Sequence, residues 1–448
     1  MQKIIATLVS LLLIVTVAGA QTNIQKATKA DSILQAYTQK SMFCGSVMVA
    51  KNGKILLSKG YGMANYNYDV PNTGTTKFKL ASVSKQFTAM LVMILEERGK
   101  LSTNDALSKY IPDYPSGDKI TIHNLLTHTS GIPDFTQLSA FDTIMTRSVT
   151  LEEEIKLFKN KKLDFAPGEK FQYSNSGYLL LTYIIEKASG KSYGEFVQEA
   201  IFKPLGMKNS GLYDNDEILK NIAYGYTSFD GKLENSQYID MSVPAGAGAL
   251  YSTVEDLFLW DQALYTEKLV KKATMEKMLT PFKDKYAYGW MIDNYNGHKW
   301  YLHTGGIQGF STVIHRFPDD SMCIVVLKNV DNYTVFSPGK IIRNVMFNEK
   351  VELPVERKEM AVDKRVFQKL IGEYELAPGF IITISTDGDK LYEQATGQGK
   401  LEIHPETEYK YFLKEVDAQV EFMKDEKGKI VSLTLYQAGQ KPNGKKIK

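Results

Sequence analysis

Two short apolar runs open the chain, Cys44 to Ala50 and Ile55 to Gly60, with Lys51-Asn52-Gly53-Lys54 between them. Asn-Gly flanked by apolar runs predicts a tight antiparallel hairpin. A short helical lead-in, Asp31 to Lys40, precedes it. From Leu80 to about Leu279 the apolar spacing is mainly helical, broken by Pro/Gly-rich loops such as Ile111 to Gly117. Ser82 is expected to open a long amphipathic helix, with Val83, Phe87, Met90, Leu91, Ile94 and Leu95 on one face and Gly99 as its stop. A second apolar helix is expected over Tyr178 to Ala188. Strand character returns at Trp300 to His303, Phe310 to Phe317 and Met322 to Asn329, with Pro318-Asp319-Asp320-Ser321 as a turn. Two opening strands, a helical middle and three closing strands predict an α+β fold. Its antiparallel sheet is assembled from N- and C-terminal strands and flanked by helices.

Past residue 350 the character changes. Residues 351–362 are charged, carry Pro354 and show no steady period, which predicts a linker. Ile381 to Tyr436 alternates short β-rich runs with turns at Asp387-Gly388 and Glu426-Lys427-Gly428, predicting a small all-β C-terminal domain over 363–448, a barrel or sandwich. At the other end, Met1-Gln2-Lys3, an apolar run from Ile4 to Val17 and Ala18-Gly19-Ala20 fit a secretory signal over residues 1–20. The main domain is then expected over 21–350, in an exported, periplasmic or secreted protein with no transmembrane anchor after signal removal. In that compartment Cys44 and Cys323 are free to pair, or to stay as two buried thiols.

Composition narrows the chemistry. The 448 residues carry a net charge of only +3, without a clustered basic footprint, so no nucleic-acid partner is expected. Two cysteines exclude a multi-cysteine zinc or iron–sulfur site, and the pairs His123/His128 and His298/His303 have no acidic residue at metal-ligand spacing. No metal and no cofactor are expected.

Three Ser-x-x-Lys matches occur, starting at Ser82, Ser116 and Ser337. The last two run through Gly or Pro-Gly in loops, where serine and lysine hold no fixed relation. On a helix, residues i and i+3 share a face, so Lys85 stands beside the Ser82 hydroxyl. Without companions, Ser82 would be an ordinary helix N-cap. Two companions exist. Tyr173-Ser174-Asn175 lies in a turn-rich stretch before the apolar helix and projects a tyrosine and an asparagine together; Tyr213-Asp214-Asn215, in a polar loop, lacks that setting. His303-Thr304-Gly305-Gly306 ends a strand, where glycines let a substrate backbone approach closely.

In the order Ser-x-x-Lys, Tyr-x-Asn, His-Thr-Gly, the chain resembles the penicillin-recognising serine hydrolases. The branch it resembles holds class C β-lactamases, D-alanyl-D-alanine carboxypeptidases, D-aminopeptidases and related esterases. Leu125 to Gly131, Pro204 to Met207 and Gly246 to Thr253 are similar to segments of that branch. The resemblance implies a β-lactamase/transpeptidase-like fold and an acyl-enzyme on Ser82. It gives Lys85 and Tyr173 the proton work, with either a neutral Lys85 or a Tyr173 phenolate as base. It further implies an oxyanion hole from the backbone N–H groups of Ser82 and Gly306, typically worth about 3 kcal/mol per donor. Asn175 would hydrogen-bond the substrate amide or the lysine, and His303, Thr304 and Gly305 would line the opposite wall.

One departure stands out. Efficient β-lactamases of this group carry lysine where His303 stands, and histidine is mostly neutral at pH 7. Recognition of a carboxylate should weaken, which favours D-residue-containing peptides, with carboxylic esters close behind, as the small-molecule or peptide substrate. A slow-turnover penicillin-binding sensor or scaffold is the alternative of another class. His123 and His128 flank a short helix and are expected to cap or pack.

Overall fold

The computed structural model describes residues 22–229, 232–332, 337–351, 357–414, 418–437 and 440–448. The secretory signal expected over 1–20 lies outside the described residues, as do residues 352–356 of the linker. The chain forms two compact units, one built mainly of residues up to 351 and the other mainly of residues 352–448.

The first unit is organised by a six-stranded sheet. Its hairpin forms as the Asn-Gly signal predicts: Gly45–Lys51 and Lys54–Tyr61 are joined through Asn52 and Gly53, with φ of 52° and 69°, the left-handed pair that a two-residue hairpin loop needs. The sheet order sets Met291–Tyr295 at one edge, then His298–Ile307, Phe310–Phe317, Met322–Lys328, Gly45–Lys51 and Lys54–Tyr61 at the other. Every pairing is antiparallel. The sheet thus joins both ends of the unit, as predicted, with two corrections. Met291–Tyr295 is an additional strand, and the strand expected at Trp300 to His303 runs on to Ile307, so the His-Thr-Gly-Gly residues lie inside it.

Both faces of the sheet are covered. Met48, Ala50, Cys323, Val325 and Leu327 belong to the large helical core, while the alternate residues Val47, Val49, Ile324 and Val326 point the other way and are equally buried. The lead-in helix covers residues 22–39, longer than expected. Its Lys26 Nζ donates to the Met346 carbonyl at the end of the helix Pro338–Met346, 2.9 Å, and its Asp31 accepts from Lys59 and Tyr61 of the sheet. Cys44 and Cys323 are both free and buried.

The central helix, Lys85–Glu97, is not the one-faced helix of the sequence expectation. All residues from Lys85 to Leu95 are buried, because the helix Asn175–Ser189 and the rings of Phe202 and Trp260 pack around it. Ser82 does not open it either: residues Ala81–Ser84 form a 3-10 turn, and no side-chain cap bond is made there. The helical middle also contains three short strands, Phe78–Lys79, Leu250–Ser252 and Gly211–Leu212, paired as a small sheet. They are two or three residues long and pair across 38 residues of chain or more, so local periodicity gives no sign of them.

The second unit is a closed barrel of eight strands, from Gly372–Ala377 to Asn443–Lys446. Tyr374, Ile382, Ile384, Leu391, Tyr411, Val420, Phe422 and Leu433 fill its interior. No helix among the described residues is long and apolar enough to cross a membrane.

Candidate active site

Ser82 sits where three elements meet: the 3-10 turn, the strand His298–Ile307 and the loop before the helix Asn175–Ser189. The turn begins with Ala81 at φ 49°, a left-handed conformation that costs a non-glycine residue about 1 kcal/mol. The strand lies close against it. A Cβ on Gly305 would stand 2.4 Å from the Leu80 carbonyl oxygen and 3.0 Å from the Ser82 nitrogen. Around Gly306 such a Cβ would meet nothing within 4 Å. The strand's alternation explains the difference: His303 and Gly305 are buried against the turn, while Thr304 and Gly306 are exposed on the other face.

Lys85 is fully buried and holds three acceptors with its Nζ: Ser82 Oγ at 3.0 Å, Asn175 Oδ1 at 2.9 Å and the Ala247 carbonyl at 2.8 Å. Burial pulls its pKa down to about 7, against the attraction of the Asp134 carboxylate. The Nζ also lies 4.9 Å from the Tyr173 ring centre and 5.4 Å from that of Tyr178. The Tyr173 phenol is raised above its ordinary range by burial; a hydrogen bond with Ser82 pulls it back and the Asp134 charge pushes it up further. It is therefore a neutral phenol at pH 7.

Asn175 is the first residue of its helix rather than part of the irregular stretch. Its amide bridges two groups: Oδ1 accepts from Lys85 and Nδ2 donates to Asp134 Oδ2 at 3.0 Å, which leaves its second N–H for a substrate. Of the two partners expected for Asn175, the structure supplies the lysine.

His303 is buried and uncharged. Its Nε2 lies 2.9 Å from the Tyr286 hydroxyl and its Nδ1 2.6 Å from the Thr304 carbonyl. A carbonyl only accepts, so Nδ1 carries the proton and Tyr286 donates to Nε2. Burial and the nearby Lys85 push the imidazole down to about 3, only partly offset by the Thr304 carbonyl. His128 packs its ring on Tyr173, with centres 4.2 Å apart, and its Nδ1 accepts the Ser174 N–H at 3.1 Å. Its expected packing role is what the geometry shows, but behind the tyrosine of the site. His123 lies apart, with its Nδ1 2.7 Å from the Tyr288 hydroxyl.

The fold thus brings Ser82, Lys85, Tyr173, Asn175, His303 and Gly305 together, carries Thr304 and Gly306 on the exposed face of the same strand, and leaves Tyr213 and Asn215 in the wall of a separate groove. Three participants were not foreseen. Ala247 acts through its carbonyl and so has no side-chain signature. Tyr286 is one tyrosine among 26. Asp134 follows Gly131-Ile132-Pro133, where an Asx turn is the local reading. No group of His, Cys, Asp and Glu able to hold a metal ion occurs among the described residues.

Residues 27–342 match the family model described as Beta-lactamase. The chain belongs to the beta-lactamase family. Residues 356–448 match a second model, described as a domain of unknown function, DUF3471. Penicillin-binding protein 4* of Bacillus subtilis (strain 168) is 30% identical over 445 residues, which cover 93% of this chain and 98% of that protein. Among solved structures, the octameric penicillin-binding protein homologue from Pyrococcus abyssi superposes with a TM-score of 0.66 at 29% identity, covering 93% of this chain and 99% of that one. A D-amino acid amidase from Ochrobactrum anthropi SV3 shares the fold, with a TM-score of 0.64 at 23% identity over 72% of this chain and 99% of that one. Within the beta-lactamase family this chain is a serine hydrolase.

Proposed function

We propose that the protein is an exported acyl-hydrolase that opens D-amino-acid-containing peptide amides through an acyl-enzyme on Ser82. The observation that carries this reading is the Lys85–Ser82 contact of 3.0 Å made by a buried amine with a pKa of about 7. A neutral amine has two N–H donors and one lone pair. The carbonyls of Asn175 and Ala247 take the two donors, leaving the lone pair for the Ser82 hydroxyl proton.

Of the two bases the sequence leaves open, this geometry favours Lys85, since Tyr173 is held as a neutral phenol. Ser82 Oγ attacks the carbonyl carbon as its proton passes to Lys85. The oxyanion is received by the backbone N–H groups of Ser82 and Gly306. Tyr173 gives its proton to the departing amine nitrogen and is reprotonated from Lys85. Water then cleaves the acyl-enzyme along the same route in reverse: Tyr173 takes the water proton as its own passes to neutral Lys85, and the Lys85 ammonium returns a proton to the departing Ser82 Oγ.

Substrate class follows from His303. With both ring nitrogens engaged and the ring neutral, no cation stands at this position for a substrate carboxylate. D-peptide amides suit that wall, and so does an uncharged carboxylic ester, the second reading. The D-amino acid amidase with the same fold supports the first. Export is supported by the pattern of residues 1–20; N-terminal sequencing of the protein recovered outside the cytoplasm tests it.

The deciding experiment is a panel of D-alanyl peptides, short-chain esters and a cephalosporin, run on the wild type and Ser82→Ala. D-peptide turnover lost in Ser82→Ala supports the proposal. A stable cephalosporin adduct without turnover makes the protein a slow acylating binder, and turnover unaffected by Ser82→Ala overturns it.

A further inference from the structure

The Lys85–Asn175 contact does not end at Asn175. Its amide nitrogen donates to Asp134 Oδ2, and Asp134 Oδ1 in turn accepts from the Thr136 N–H and hydroxyl, both at 3.0 Å. The carboxylate is held on a strap that is itself tied to the helix Asn175–Ser189. Ser176 Oγ donates to the Pro133 carbonyl at 2.7 Å and accepts the Phe135 N–H at 2.9 Å, while the Phe135 ring is buried. Asp134 thus has one oxygen locked on its own turn and the other on the amide that faces the lysine.

An amide bridging two partners has two orientations, and only its neighbours decide between them. Asp134, as a carboxylate, can only accept. It therefore forces Nδ2 of Asn175 toward itself and Oδ1 toward Lys85. We propose that Asp134 is a positioning residue of the Ser82 site, which fixes the Asn175 amide so that its carbonyl takes one Lys85 hydrogen and which places a fixed negative charge one residue behind the lysine. The inference rests on the proposed role of Lys85 as the base. Among the described residues the side-chain bonds of Asp134 go to Thr136 and Asn175 and not to the Ser82 hydroxyl, so its action is indirect.

The groups around Lys85 make Asp134 distinctive. The lysine is approached by the Tyr173 and Tyr178 phenols, by the neutral imidazoles of His128 and His303, by the Ser82 hydroxyl and by the Ala247 carbonyl. The phenols and imidazoles are uncharged at pH 7, and Asp134 is the carboxylate whose attraction opposes the burial of the ammonium. Removing that charge should make Lys85 lose its proton more readily. The acid limb of the reaction, where Lys85 becomes neutral, then moves to lower pH.

Two variants separate charge from geometry. Asp134→Asn keeps the shape but loses the charge and no longer dictates the amide's orientation. Asp134→Glu keeps the charge on a longer arm. The readout is the titration of Lys85 followed by NMR of lysine carrying 13C at the ε carbon, with the resonance assigned by its absence from Lys85→Arg. It needs no substrate, so it stands even if the proposed reaction fails. The expected result is a Lys85 midpoint lowered by about one pH unit in Asp134→Asn. In Asp134→Glu the midpoint stays near the wild type while kcat falls at least about tenfold with KM little changed. An unmoved midpoint in Asp134→Asn, or wild-type kcat in Asp134→Glu, overturns the assignment. If Ser82→Ala leaves hydrolysis intact while the midpoint still shifts, the coupling stands and the reaction assigned to the site falls.

Discussion

His128 and Tyr173 face each other ring to ring, centres 4.2 Å apart and planes tilted by 32°, while the same imidazole accepts the N–H of the next residue, Ser174. One side chain therefore fixes both the plane of the phenol and the backbone that carries it. Tyr286 closes the stack from another side, 4.6 Å from His128, and donates to His303. The proton-handling side of the cleft is thus a block of interlocked neutral aromatic rings. His128→Ala should leave the Ser174 N–H buried and unpaired and open a void behind Tyr173, costing about 3 kcal/mol of stability. Urea denaturation measures that cost. The kcat of the folded variant should fall more than its KM rises, because Tyr173 loses its backing.

The buried imidazoles also set the acid limit of the fold. His303 and His315 are both pushed down to about 3 by burial, so the folded state keeps them neutral where the unfolded chain takes up protons. Their contribution is complete above pH 6.5 and drains away as the pH falls toward 3. Each group removes up to about 1.4 kcal/mol per pH unit in that window. Thermal unfolding at a series of pH values from 7 to 4 should show the midpoint dropping steadily, and His315→Gln should make the slope shallower.

Lys85 predicts the pH profile of the reaction. With a folded pKa of about 7 and the neutral amine as base, kcat/KM should rise about tenfold per pH unit below 7 and level off above it. Arginine cannot be neutralised in this range, so Lys85→Arg should abolish turnover at every pH while Ser82 remains present. A variant that keeps a measurable acid limb would place the base elsewhere.

Two neighbouring glycines should answer substitution differently. Gly305→Ala forces a methyl group into the Leu80 carbonyl and toward the Ser82 nitrogen, and displaces the strand from the nucleophile. A shift of this kind should cost about a hundredfold in kcat. Gly306→Ala meets open space, so the protein should fold with its normal melting temperature and change only in KM. Equal losses in both variants would contradict the alternation of the strand.

Glu154 predicts a gain. It is fully buried in the helix Leu151–Phe158, and neither carboxyl oxygen has a hydrogen-bond partner among the described residues. Burial, aided by Glu153, pushes its pKa up to about 10. The folded state keeps a proton that the unfolded chain releases above pH 4.5, so stability declines as the pH rises from there toward 10. Glu154→Leu should remove that decline and stabilise the protein by about 2 kcal/mol at pH 7. Chemical denaturation at pH 5 and pH 8 measures the change in slope.

The amino-acid sequence determined what depends on neighbours along the chain. Asn52-Gly53 dictated a hairpin because those two residues accept the left-handed backbone its loop requires. The three-residue step from Ser82 to Lys85 put hydroxyl and amine on one face of a helical turn, whether 3-10 or α. Tertiary structure decided the rest. The central helix reads as one-faced because its polar residues, Gln86 and Thr88, find partners only after folding, in Trp260 and in the Gly246 carbonyl. Which atom of Asn175 meets Lys85 depends on Asp134, 41 residues away in the chain. The lysine becomes a base, and His303 stays neutral, only because distant elements shut water away from them. A protonation state is a property of surroundings, and those surroundings exist only once the chain has closed on itself.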